Sequence, residues 1–282
     1  MLRTRLWMGA LLIGLAGLIL VEGRWFAPFY PVLLLAALAA CLLAARELRS
    51  MLDPASRPRG FITYLGIASL ILANWCRALE PGSDGFRAVG WVFTIAGIVV
   101  FLTEIRAFTR PGFIAERLSQ TLLILFYLGL LPSFLLQLRW LPEYSNLAIA
   151  LTVFVAKGCD IGAYFTGKFL TGRVLGRTPM TPLLSPKKTW QGAVGGLLFA
   201  CAVSVALGRI EPIFSGAPAA IGFGLVVGMA GLLGDLSESL LKRDRQTKDA
   251  SAAVPGFGGV LDVIDSLLFA GPVAYLWFTY WK

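Results

Sequence analysis

Hydrophobic positions along this chain gather into repeated continuous runs of 18 or more residues, parted by short polar loops. Runs of that length match the thickness of a bilayer core and exclude a soluble globular domain. They predict nine membrane helices, near residues 6–23, 28–45, 61–79, 88–105, 119–138, 145–166, 190–208, 217–241 and 260–281. The expected class is an all-α, polytopic integral membrane protein. In the sixth run, "LAIALTVFVAKGCDIGAYF", Lys157, Gly158 and Asp160 interrupt the apolar pattern near its end. That predicts a helix broken where it meets a polar cavity. No internal repeat of fixed period and no low-complexity linker divides the chain. It reads as one continuous membrane domain, with about five spans in residues 1–144 and about four in a catalytic region, 145–282.

Composition sharpens this picture. The 31 glycines and 15 prolines are spread through the apolar runs, where neighbouring helices can satisfy freed backbone groups, so glycine here is first of all packing chemistry. Arg3 and Arg5 precede the first run like the start of a signal peptide, but the run is long and ends in "VEGRWF" without a small-x-small cleavage site. A retained first helix is expected. The net charge of +9 does not point to nucleic acid, because the basic residues fall in loops between spans. With the N-terminus, the even-numbered loops hold 19 Lys and Arg, and the other side holds 6. By the positive-inside rule the N-terminus and even loops face the cytoplasm. The setting expected is the inner (cell) membrane of a bacterium, with any active site on the cytoplasmic side. Cys41, Cys76, Cys159 and Cys201 are too scattered for a disulfide framework or a zinc site. The chain has no histidine, which removes the usual general base and the commonest transition-metal ligand.

Catalysis would then fall to carboxylates, lysines, hydroxyls and hard metal ions. Three charged clusters lie on the expected cytoplasmic side: "KGCDIGAYFTGKFLTGR" (157–173), "LLSPKKTWQGAVGG" (183–196) and the stretch from "GDLSESLLKRDRQTKD" to "PGFGGVLDVID" (234–265). Asp235 precedes Lys242 by seven residues, which puts it roughly 10 Å inside its helix end, where a carboxylate needs a cation or a cavity. If the last helix starts near Val260, Asp262 and Asp265 share one face of its first two turns and look toward one point. Spacing alone leaves another reading open, in which both merely favour a helix N-terminus and Asp235 pairs with a lysine. Carboxylate oxygens suit Mg²⁺, which keeps coordination positions for water and substrate phosphates. Lys187, Lys188, Lys242, Arg243 and Lys248 can neutralise a polyphosphate, and Gly258-Gly259 ahead of a helix start offers free N–H groups to an anion. The combination fits metal-dependent phosphoryl or nucleotidyl transfer at a membrane surface.

These residues also carry a resemblance. "SLLKRDRQTKDASAAVPGFGGVLDVIDS" is similar to the signature of the phosphatidate cytidylyltransferases (CDP-diacylglycerol synthases): S-x-x-K-R, K-D, P-G-H-G-G, D-R-x-D. "SPKKTWQG", "CDIGAYFTGK" and "GDLSES" resemble that family's S-P-K-K-T-x-E-G, D-x-x-A-Y and G-D-x-x-E-S stretches. The resemblance implies that CTP and phosphatidate give CDP-diacylglycerol and pyrophosphate, with Mg²⁺, in one or two ions, as cofactor. It implies metal-binding Asp235 and Asp262, with Asp265 and Asp249 in the same signature. Asp235, Asp262, Asp265, Lys187 and Lys188 would be catalytic. Ser185, Ser239, Lys242, Arg243, Lys248, Gly258 and Gly259 would bind substrate. It also suggests a homodimer among membrane lipids. Two positions depart from the pattern: Phe257 stands where the family has His, and Val263 where it has Arg. A CTP-dependent transferase acting on another lipid phosphate or a polyprenol, a transporter with charges along an ion path, and a catalytically silent scaffold are the competing readings. A transporter would carry inverted repeats and midplane charges.

The basic asymmetry generates the first prediction. Cysteines introduced near Arg57, Arg110 and Arg177 are labelled from the cytoplasm, and one near Lys282 only from outside. Cytoplasmic labelling at the C-terminus would refute the nine-span count.

Overall fold

The computed structural model describes the chain apart from Met1, Pro81, Arg173, Leu175, Lys248, Asp249, Ala250, Ala252 and Lys282. In chain order its helices are α1 (Leu2–Val21), α2 (Gly23–Phe26), α3 (Pro31–Met51), α4 (Gly60–Ala73), α5 (Cys76–Leu79), α6 (Gly85–Arg106), α7 (Ile114–Leu125) and α8 (Leu131–Gln137). There follow α9 (Ser145–Phe169), a hairpin of β1 (Pro179–Thr181) and β2 (Ser185–Thr189), α10 (Trp190–Leu207), α11 (Ala217–Asp244) and α12 (Val260–Tyr280). Among the described residues, 8 helical segments are long and apolar enough to cross a membrane. The all-α membrane architecture expected from the apolar runs is therefore present, with one small antiparallel hairpin added between α9 and α10.

Two expectations are corrected. The run at 61–79 is not one full-length helix: α4 has 14 residues and stops before Asn74. The buried Asn74 amide donates to the carbonyls of Leu70 and Ile71 and to Ser133 Oγ, and its carbonyl accepts from Gln137. A side chain that takes up the backbone carbonyls of its own turn competes with helix continuation. Conversely, α9 is not broken at Lys157–Asp160 but runs unbroken for 25 residues. Lys157 and Asp160 pair with each other at three residues' spacing, 3.5 Å apart, and Gly158 packs against Val203 and Phe199 of α10.

The chain forms two compact units. The first comprises residues 1–137 and 249–263. Within it the polar groups that end helices are matched by buried acceptors. Glu22, fully buried, accepts the N–H groups of Val32 and Leu33 at the start of α3. Glu47 of α3 does the same for α12: Oε1 accepts from Ser251 Oγ (2.6 Å) and the Val260 N–H (2.9 Å), and Oε2 from the Leu261 N–H (2.9 Å). These are orphan donors of a helix N-terminus, where a carboxylate is favoured. A side chain at Gly259 would place its Cβ 2.6 Å from Glu47 Oε2 and push that carboxylate off the N–H groups it accepts.

The second unit comprises residues 138–248 and 264–282. Its helices meet through glycines four residues apart: Gly158 and Gly162 on α9, Gly192 and Gly196 on α10, Gly224 and Gly228 on α11. Small residues at this spacing let membrane helices approach closely, which replaces the hydrophobic drive that lipid cannot supply. At Gly196 a Cβ would lie 2.6 Å from the Cys159 carbonyl oxygen, and at Gly224 2.6 Å from the Cys201 Cα. Gly196→Leu is therefore expected to lower the thermal midpoint of the detergent-solubilised protein, losing about 1–3 kcal/mol or more by overpacking. Gly17→Leu, where a Cβ meets nothing within 4 Å, should leave the midpoint unchanged. Equal midpoints for the two variants would discount the close-packing account.

Candidate active site

The second unit holds a partly open cavity of about 300 Å³, lined by Asp160 and Tyr164 of α9, Ser185, Lys187 and Lys188 of β2, and Asp235 of α11, among others. Local structure explains how these arrive together. The Ser-Pro-Lys-Lys-Thr stretch is extended and pairs with β1 in antiparallel register. Thr189 then caps α10 by accepting the Gly192 N–H at 3.1 Å, so the strand ends where the helix begins. The Arg243 Nε, near the end of α11, donates to the Leu184 carbonyl at 3.2 Å and ties the hairpin turn to that helix.

Beside this cavity stands a cluster of carboxylates. One oxygen from each of Asp235, Glu238 and Asp265 lies within 4.8 Å of the other two. Asp265 is buried, and Glu238 is 1% exposed. Gly234 lets α11 approach α12 here, since a Cβ at that position would fall within 3.1 Å of the Ser266 Cα. Each carboxylate has its own lysine: Lys188 Nζ lies 2.6 Å from Asp235 Oδ2, Lys242 Nζ 2.9 Å from Glu238 Oε2, and Lys157 Nζ 3.4 Å from Asp265 Oδ1. The Lys188 contact is an ion contact without hydrogen-bond alignment. The donor set is hard oxygen, as a divalent cation prefers, and opposed ligands of Mg²⁺ sit about 4.2 Å apart, so small side-chain shifts would close the trio onto an ion. The residues fit such a cation.

The expected residues are distributed as follows. Asp235, Ser185, Lys187 and Lys188 share the cavity, and Asp235 and Asp265 share the carboxylate cluster. The lysine partner left open for Asp235 in the sequence is real. Lys242 and Arg243 are engaged with Glu238 and the hairpin, and Ser239 is half-buried on α11. Asp262 turns back on its own helix start and accepts the Gly259 N–H at 2.7 Å, one half of a capping box, whereas Asp265 faces Lys157. Gly258 has φ +102°, which suits only glycine, but no free N–H cradle results: the Gly259 N–H goes to Asp262, and those of Val260 and Leu261 go to Glu47. Phe257 is exposed, and Val263 is half-buried. Lys248 and Asp249 lie outside the described residues.

Four charged residues make contacts that the sequence alone does not assign to them. Glu238 follows Asp235 by three residues, the same spacing that drew attention to Asp262 and Asp265, so the signal was there. Lys157 and Asp160 belong to the first charged cluster, but the sequence marks them only as a helix interruption and assigns neither a site role. Glu47, in "AARELRS", gave no signal beyond an ordinary charge at a helix end.

Comparison with known proteins bears on what this arrangement does. Residues 2–281 match the model of the cytidylyltransferase family. The phosphatidate cytidylyltransferase of Pseudomonas aeruginosa is 36% identical over 277 residues, covering 95% of this chain and 94% of that protein. Phosphatidate cytidylyltransferase 5, chloroplastic, of Arabidopsis thaliana is 31% identical over 282 residues, covering 93% of this chain and 68% of the plant protein. That of Brucella suis is 32% identical over 234 residues, covering 77% and 83%. This integral membrane chain belongs to the cytidylyltransferase family.

Proposed function

We infer that the protein transfers the cytidylyl group of CTP to phosphatidate, giving CDP-diacylglycerol and pyrophosphate in phospholipid biosynthesis. A phosphate oxygen of the lipid attacks the α-phosphorus of CTP and forms the new P–O bond. The bond from that phosphorus to the oxygen bridging to the β-phosphate breaks, and pyrophosphate leaves with its electron pair. The nucleophile is already an anion near neutral pH, so no general base is needed, in keeping with a chain without histidine. What remains is to neutralise charge and hold the two phosphates in line.

The observation that carries this reading is a cluster of three carboxylates that shares Asp235 with a cavity walled by two adjacent strand lysines. Lys187 and Lys188 are suited to the triphosphate, with the Ser185 hydroxyl as a further donor. Asp235, Glu238 and Asp265 would hold divalent metal, Mg²⁺ by the chemistry of its donors, and it would supply charge neutralisation to the phosphates. Asp262 then serves by fixing the start of α12. The basic asymmetry supports an inner-membrane orientation with the N-terminus and site facing the cytoplasm, where CTP is available. A homodimer is supported by the family resemblance alone.

Incorporation of radiolabelled CTP into lipid by purified protein tests the reading, with phosphatidate set against other lipid phosphates and polyprenyl phosphate. Product with phosphatidate alone is expected, and EDTA should abolish it. Preference for another acceptor would replace the proposed substrate.

Asp235→Asn and Asp265→Asn keep side-chain shape but lose the charge, so each should reduce kcat on the order of a hundredfold or more in the folded protein. Wild-type turnover in both at saturating Mg²⁺ would remove the metal assignment. Lys187→Gln should raise KM for CTP about tenfold, the loss of one charge-assisted contact. Unchanged kinetics of the folded fraction would make Lys187 a topology anchor only.

A further inference from the structure

The lysines of the carboxylate cluster come from three different elements, and they differ in how freely they can leave. Lys242 and Glu238 are one turn apart on α11, a pair fixed by their own helix. Lys188 reaches Asp235 from β2, and Lys157 reaches Asp265 from α9 while also lying 3.5 Å from Asp160 Oδ2. Asp160, Asp235 and Lys188 all line the cavity. A lysine is a mobile point charge on a four-carbon stem, so these two ammonium groups can turn from a carboxylate to another anion without movement of the backbone.

We propose that Lys157 and Lys188 are exchangeable counter-ions, which hold the carboxylates until a divalent cation and a polyphosphate arrive together, and then turn to the phosphate oxygens. This rests on the reading of the cluster as the metal site of a cytidylyltransferase. The physical reason is mutual exclusion. A divalent cation on Asp235 and Asp265 repels ammonium groups that sit 2.6 Å and 3.4 Å from the same carboxylates. Cation alone must therefore push both lysines toward Asp160, the other carboxylate among the described residues lining the cavity, which Lys157 already holds. Nucleotide alone finds the lysines already engaged. When both bind, every charge keeps a partner, so each ligand strengthens the other by the same factor. The device also keeps a buried acidic cluster neutralised between turnovers, when bare carboxylates would be costly in a membrane protein.

The signature is a change of opposite sign toward two ligands. Binding of Mn²⁺ alone is measured by electron paramagnetic resonance, and binding of radiolabelled CTP in saturating Mn²⁺ by equilibrium dialysis, both on purified protein without lipid so that no turnover occurs. Lys157→Gln should bind Mn²⁺ alone roughly tenfold more tightly, because one competing positive charge is gone. It should bind CTP with Mn²⁺ several-fold more weakly. Lys157→Arg, which keeps the charge, should stay close to wild type on both. Weakening of both ligands marks a merely structural lysine and overturns the proposal, as does no change in either. Should Lys157→Gln fail to fold, Lys188→Gln must show the same split, and its absence there is equally decisive. Turnover of CTP and phosphatidate by the wild-type preparation separates the two levels. Without turnover the reading of the site falls, and the exchange with it. With full turnover but no split in affinities, only the exchange falls.

Discussion

Three carboxylates within 4.8 Å of one another, on helices that cross a membrane, are tolerable only if positive charge is brought to them. Much of the second unit follows from that requirement. Two of the lysines come from outside the helices that carry the carboxylates, one from α9 and one from the strand that leads into α10. Delivering them needs α9, α10 and α11 to run close together, and the glycine pairs on all three helices provide the approach. The hairpin is the smallest element in the chain, yet it places two consecutive lysines and a serine along one wall of the cavity. Charge balance and close packing are therefore one design constraint rather than two.

A second carboxylate system operates where α12 begins. Glu47 and Asp262 accept the N–H groups of Gly259, Val260 and Leu261, so three donors at the N-terminus of α12 are taken up by the protein's own carboxylates. A helix start with free N–H groups is a ready anion site, but this one is already occupied by two side-chain carboxylates. In the proposed reaction phosphate recognition would fall to the lysines, while the Gly-Gly pair acts in the architecture of the turn. Asp262 and Asp265, three residues apart on one helix, end up with different tasks because one lies within reach of its own helix cap and the other faces a lysine on α9.

The sequence made the membrane class legible because apolar runs report directly on bilayer thickness, whatever the tertiary contacts. Helix interruptions were harder to read. Lys157, Gly158 and Asp160 look like a break when their partners are unseen, since charge in an apolar run argues for a cavity. Asn74, a single polar residue in an equally apolar run, gave no warning, although its amide ends α4 by bonding the carbonyls of its own last turn. For the site, the depth of Asp235 marks a carboxylate that needs a cation or a cavity, and depth alone leaves a lysine partner and a metal ion both open. Glu238 was readable in principle from its spacing. Glu47 was not, because its role depends on residues more than 200 positions away in the chain.

The departures from the family pattern bear on which chemistry the site can use. With Phe257 in the glycine turn and no histidine anywhere in the chain, no imidazole is available to move a proton. Val263 likewise brings no guanidinium to the second position where the family carries a polar group. Proton transfer is not what the proposed reaction demands, however, since the attacking phosphate oxygen is already ionised and pyrophosphate leaves as an anion. The demand is for positive charge that can follow the negative charge as it moves from the triphosphate to the departing pyrophosphate. Lysines on flexible stems meet that demand at any pH at which they stay protonated. In the proposed reaction the loss of the imidazole and guanidinium would thus be compatible with activity, with Lys157, Lys187 and Lys188 as the charges carried by α9 and the hairpin.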